Sequence, residues 1–131
     1  MDEAVEIART ALSGFSGLDP ETAARLFAED AEWHNTMVFP GKRVLRGPAE
    51  IAAFGRELAV QVSDWRLDIE REAVADDGAV VLGLHSRGTT TASGFPLDVR
   101  WAVVVRVRDG AIVRIDVRGD FDKALATAGL A

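Results

Sequence analysis

The sequence predicts an α+β fold in which N-terminal helices pack on a curved antiparallel sheet. Three observations predict it. Apolar residues recur at helical spacing as far as about Leu58, then at a spacing of two from Trp65 onward. Asp77-Gly78 and Asp109-Gly110 stand between consecutive alternating runs, where tight hairpin turns take such pairs. The helical segments precede the long strands, an order that gives an antiparallel meander rather than repeated β–α units.

The elements follow in order. Glu3 to Phe15 places Val5, Ala8, Leu12 and Phe15 on one helical face, and Gly14 and Gly17 end it. Asp19-Pro20-Glu21 supplies an N-cap and a proline for the first helical position of a second helix. Its apolar stripe is Ala23, Leu26 and Phe27. Ala31 to Met37 reads as a short strand, and Phe39-Pro40-Gly41-Lys42 as a loop. Gly47-Pro48-Ala49-Glu50 opens a third helix with Ile51, Phe54 and Leu58 on one face. Four strands are predicted over 65–75, 78–90, 97–108 and 111–120, with a longer hairpin loop through the Thr-rich stretch to Gly94-Phe95-Pro96. Phe121 to Ala128 makes a short terminal helix, stopped by Gly129.

Length and composition bound the function. The 131 residues, 48% hydrophobic, suit a single domain spanning 1–131 with one core. The chain has no cysteine, which removes thiolate chemistry and disulfides, and no tyrosine, which removes a phenolic acid. A net charge of −6 lacks the basic footprint that nucleic acid requires. The apolar runs, such as Ala102 to Val105, are too short to span a membrane, and Met-Asp-Glu does not open a signal region. A cytoplasmic protein without nucleic-acid or membrane partners is expected.

Strand alternation decides which side chains face the helices. One face carries Ala31, Trp33, Asn35 and Met37; Trp65, Leu67 and Ile69; Val80, Leu82, Leu84 and Ser86; Val99, Trp101, Val103 and Val105; and Val113, Ile115 and Val117. This set must be buried, because an antiparallel sheet with one wet face buries the other. The opposite face takes the Arg, Asp and Glu residues together with His34 and His85. The inner face thus offers three tryptophans, many aliphatics and two neutral polar groups, Asn35 and Ser86.

Leu26-Phe27-Ala28-Glu29-Asp30-Ala31-Glu32-Trp33-His34-Asn35 resembles the helix-to-strand signature of SnoaL-like proteins. Arg46-Gly47-Pro48-Ala49-Glu50-Ile51, Arg87-Gly88-Thr89, Asp109-Gly110-Ala111-Ile112, Gly119-Asp120 and Ala128-Gly129-Leu130 extend the resemblance over nearly the whole chain. It implies the cone-shaped α+β barrel of the nuclear transport factor-like superfamily, which commonly keeps a deep pocket between sheet and helices. Relatives include polyketide cyclases, limonene epoxide hydrolase and ketosteroid isomerase. Alignment with the epoxide hydrolase puts Trp33 and Asn35 at its water-holding positions. Its Asp–Arg–Asp set falls near Leu84, Ser86 and Val117, so the acid–base groups are absent. The isomerase base falls at Asn35 and its protonated aspartate near Val103. The His and Asp pair of the cyclases has no inward counterpart, since His34 and His85 lie on the outer face by parity.

The expected function is a pocket for an apolar cyclic or polyketide-like metabolite, with a cofactor-independent cyclase, isomerase or lyase as the enzymatic form. The alternative is a non-catalytic ligand-binding or dimerisation module. Asn35 and Ser86 are the candidate catalytic groups. Trp33, Met37, Trp65, Leu84, Val99, Trp101, Val103 and Val117 are the candidate ligand-binding walls. No cofactor and no metal are expected. The outer sheet face, with Arg100, Arg106, Arg114 and Arg118 around Val81, Val104 and Ile112, is the expected homodimer interface.

Overall fold

The structure is a computed structural model that describes residues 3–35 and 43–130. Helix α1 spans Glu3–Ser13, a 3-10 turn spans Phe15–Gly17, and α2 spans Pro20–Leu26. Strand β1 is Phe27–His34, β2 is Val44–Arg46, and α3 is Gly47–Gln61. Strands β3 (Val62–Val74), β4 (Val80–Thr90), β5 (Pro96–Arg108) and β6 (Ala111–Arg118) follow, and α4 (Phe121–Thr127) closes the described chain. The fold class is as expected, α+β with helices against a curved sheet that does not close. Its strand order is β2-β1-β6-β5-β4-β3, antiparallel throughout except for the parallel pair β1–β6.

Local chemistry sets the element ends. Asp19 caps α2 by accepting the Thr22 N–H at 2.7 Å, and Asp120 caps α4 by accepting the Lys123 N–H at 2.8 Å. Asp109 and Gly110 both take positive φ, 54° and 78°, as a two-residue hairpin turn that follows the right-handed strand twist requires. Phe27 begins β1 rather than finishing α2, and β2 is a short edge strand that alternation had not marked. Thr36, Met37 and the loop 39–42 lie outside the described residues.

The inner face is as alternation places it for β1, β3, β4 and β5: Trp33, Leu67, Leu84, Trp101 and Val103 all join the main core under the helices. Strand β6 departs from it. Ile112, expected outward, is fully buried in the main core along with Ile115 and Val117. A β-bulge explains this: Arg106 pairs with Arg114 but Val107 pairs with Ile112, so Val113 is the extra residue and parity flips across it.

The outer face is also not what parity implies. Val81 and Val104 are fully buried, but by α4, which lays Phe121, Ala124, Leu125 and Ala128 over them. Gly83 makes room for this helix, since a Cβ there would lie 3.0 Å from the Phe121 ring. Arg71 covers the ring's other approaches, with its guanidinium carbon 4.2 Å from the Phe121 centroid. The expected open apolar centre for a second copy is therefore filled by the chain's own C-terminal helix. Among the described residues, no helix is long and apolar enough to cross a membrane.

Candidate functional site

Helices cover only part of the inner face. At the β1 end, Trp33 is fully buried and stacks on Phe15 with ring centroids 4.6 Å apart, while Phe54 meets it edge-on at 6.1 Å. The backbones come close enough for this because α3 carries Gly55: a Cβ there would stand 2.3 Å from the Phe15 carbonyl oxygen. At the opposite end, where β6 stops at Arg118 and β5 runs on paired with β4 only, a hollow of about 470 Å³ opens. Its walls are Leu58, Val62, Trp65, Leu97, Val99, Trp101 and Val117. Gln61, Thr90 and Thr91 border it where the end of α3 meets the β4–β5 hairpin. That volume lies within the range of small-molecule sites.

The structure divides the candidate residues into two groups. Trp65, Val99, Trp101 and Val117 come together around the hollow. Trp33, Leu84 and Val103 are buried in the core beneath it. Met37 lies outside the described residues. Asn35 is buried beside a separate hollow of about 200 Å³ with His34, Arg43 and Val44, and its side-chain oxygen accepts the Trp33 indole N–H at 2.6 Å. Ser86 is fully buried, and its hydroxyl accepts the Trp101 indole N–H at 2.8 Å. Each neutral polar group on the inner face thus anchors a tryptophan. Ser86 fixes the orientation of an indole that forms a wall of the hollow. Leu58 belongs to the apolar face of the third helix, and Leu97 and Thr90 continue the inward parity of Val99 and Ser86, whereas Gln61 and Thr91 come from a helix end and a hairpin turn that alternation does not identify. The Thr-rich stretch is the one signal that marks some of them.

The hollow is apolar and nearly without charge. Among the described residues, no carboxylate and no histidine borders it. Arg100 does, and its guanidinium is bonded to Glu70 at 3.0 Å, which raises its pKa. Thr91 ties the hairpin to α3: its main-chain N–H donates to the Gln61 carbonyl at 2.9 Å, and its hydroxyl lies 3.1 Å from the carbonyl oxygens of Val60 and Gln61. Val60 and Phe95, whose carbonyl oxygens accept from the Thr91 and Thr90 hydroxyls, are 74% and 71% exposed beside this junction.

The charged groups collect on the outer face. His85, buried, has Nε2 2.6 Å from Asp98 and Nδ1 3.4 Å from Glu70. The His85 bond holds the Asp98 carboxyl below its ordinary value, and the Arg100 bond does the same for Glu70. Asp116 receives two bonds from Arg114, at 2.8 and 3.0 Å, on the face opposite Ile115 and Val117. Among the described residues, no group of three or more His, Asp or Glu side chains is placed to hold a metal ion.

Comparison with known proteins agrees with this architecture. The family model for the SnoaL-like domain matches residues 8–115. No curated protein matches the chain significantly. Among solved structures, a Catenulispora acidiphila DSM 44928 protein of ketosteroid isomerase-like fold, in complex with trimethylamine, superposes with a TM-score of 0.72 at 20% identity. The match covers 96% of this chain and 94% of that one. A candidate SnoaL-like polyketide cyclase from Jannaschia sp. CCS1 gives 0.74 at 19% identity, covering 98% and 92%. TerC co-crystallised with polyporic acid gives 0.72 at 20% identity, covering 96% and 97%. At these identities the likeness establishes the shared fold.

Proposed function

The chain belongs to the SnoaL-like domain family, and from that premise we propose that it binds an apolar, ring-bearing small molecule in the hollow between α3 and the β4–β5 hairpin. The observation that carries this reading is the hollow itself: about 470 Å³ walled by Trp65, Trp101 and aliphatic side chains. The cyclase-like relative and the ligand-bound relatives of this fold support it by analogy. Where chemistry follows binding, it is a cyclisation, isomerisation or elimination of a polyketide-like metabolite, aided by confinement of the reacting conformer and without a cofactor. A non-catalytic binder is the second reading, favoured by the lack of carboxylate and histidine on the described walls.

Titration with flat cyclic hydrophobes tests the pocket. Tryptophan emission should shift or quench and the melting temperature rise at micromolar ligand, a binding free energy of about −8 kcal/mol. Trp101→Ala should weaken the response. A broad panel that leaves both signals unchanged removes the pocket reading. Limonene-type epoxides should not be turned over, because Asp116 is held by Arg114 away from the hollow. Robust hydrolysis that Asp116→Asn abolishes would show the wrong face was assigned.

We also propose that two copies pair through the part of the outer face that α4 leaves uncovered, around Asp68, Glu70, His85, Arg87, Asp98 and Arg100. What supports this is the alternation of opposite charges across β3–β5, with Arg87 on Asp68 at 2.6 Å and Arg100 on Glu70 at 3.0 Å. A two-fold axis can re-pair such charges reciprocally. Light scattering at tens of micromolar should give a dimer, and Arg100→Glu should shift it toward monomer. A monomeric unmutated protein discards the interface.

A further inference from the structure

We infer that the molecule held in the hollow is uncharged and presents a hydrogen-bond donor, a hydroxyl or N–H, at the end facing the mouth; this rests on reading the hollow as a small-molecule site. The neutral polar side chains on its described lining are grouped at that one end. Gln61, Thr90 and Thr91 meet where α3 ends and the hairpin begins, joined by the bond from the Thr91 main-chain N–H to the Gln61 carbonyl. The opposite walls are Val99, Trp101 and Val117, and the indole N–H of Trp101 is already given to Ser86. A ligand therefore has an apolar body and one polar end.

The hydrogen-bond sense follows from which hydrogens are already used. A hydroxyl carries one hydrogen and two lone pairs. The Thr91 hydroxyl faces the carbonyl oxygens of Val60 and Gln61, at 3.1 Å each, and the Thr90 hydroxyl donates to the Phe95 carbonyl oxygen at 3.0 Å. The Thr91 hydrogen is committed to a carbonyl oxygen, and the Thr90 hydrogen is used within the hairpin, where the Ser93 hydroxyl also lies 2.6 Å from the Thr90 hydroxyl, so toward a ligand both oxygens act as acceptors. The exposed Gln61 amide can add a further acceptor oxygen beside its own N–H donors, so the sense of the site is set by the two hydroxyls. An ether or a tertiary amine at that end would offer these hydroxyl oxygens no hydrogen. A carboxylate would bring charge to a site where Arg100, the one cation bordering it among the described residues, is paired with Glu70.

Calorimetric titration of the full chain with 2-naphthol, 2-methoxynaphthalene and 2-naphthoate tests this. The naphthol should bind about fivefold tighter than its methyl ether, the worth of one net hydrogen bond, and the naphthoate should bind weakest. Gln61→Leu, at an exposed position, should reduce the preference for naphthol. Gln61→Leu with Thr90→Val, which leaves the Thr91 ties in place, should reduce it further, to what Thr91 alone sustains, while ether binding persists. Equal or tighter binding of the ether, tightest binding of the naphthoate, or a preference that the double variant leaves undiminished overturns this inference and leaves the pocket reading standing. Binding of none of the three overturns both.

Discussion

Trp33 and Trp101 stand on the same face of one sheet, and each donates its indole N–H to a buried neutral side chain, Asn35 at 2.6 Å and Ser86 at 2.8 Å. Their surroundings differ. Trp33 is enclosed by Phe15 and Phe54, brought in by the 3-10 turn and α3. Trp101 faces a hollow, because α3 has ended and β6 has turned away toward α4. The pair shows that an apolar strand position becomes core or binding wall according to what the helices deliver above it. The strand's own pattern is the same in both places.

The largest expected effect separates the two tryptophans by stability. Trp33→Ala removes a stacked ring from a filled core and should cost about 3–5 kcal/mol in denaturant unfolding. Trp101→Ala borders space that is already open and should cost clearly less while weakening the ligand response. Equal losses would break the comparison.

The second expected effect tests why the Trp33 end is filled. Gly55→Ala puts a Cβ 2.3 Å from the Phe15 carbonyl oxygen, so backbone must move. A loss of about 1–3 kcal/mol is expected. Gly17→Ala, where an added Cβ meets nothing within 4 Å, serves as the control and should change stability by no more than about 0.5 kcal/mol.

The third sharpens the other end. Ser86→Ala leaves the buried Trp101 indole N–H without this acceptor and should cost about 1–3 kcal/mol. Tryptophan emission should shift without ligand, and Asn35→Ala should shift it differently, since Trp33 cannot leave its stack.

The smallest effect belongs to the outer face. Asp98 has its folded pKa lowered, first by the His85 bond, with desolvation opposing. A depressed carboxylate contributes stability above its unfolded value, and this is lost as pH falls through the folded one. Acid unfolding of Asp98→Asn should therefore show a shallower dependence below about pH 4 than the unmutated chain. An identical acid limb would show that the His85–Asp98 bond contributes nothing.

Local chemistry made much of the fold legible. The Asp19 and Asp120 caps and the turns at Asp77-Gly78 and Asp109-Gly110 depend only on neighbouring residues, so they can be read from the chain. The long strands show by alternation because one face must be dry. The candidate site was legible in part. Trp65, Val99, Trp101 and Val117 were identified as inward residues and do meet around the hollow. Gln61, Thr90 and Thr91 were not: Gln61 ends a helix and Thr91 lies in a hairpin turn, where no period points inward, and Thr90 continues the parity of Ser86 but lacks an apolar side chain to mark it.

By itself the sequence determined the element types, the antiparallel meander and the inward set of β3, β4 and β5, because these follow from backbone period and side-chain polarity over a few residues. Only the tertiary structure decided three things. The bulge at Val113 turned Ile112 inward, since register depends on the partner strand. The C-terminal helix covered Val81 and Val104, since a single apolar patch does not say which element will bury it. The division of one apolar face into a packed core under Phe15 and an open hollow beside Trp101 depended on where α3 and β6 end in space. Side-chain polarity is a property of the residue, but the volume above it belongs to the elements that converge there.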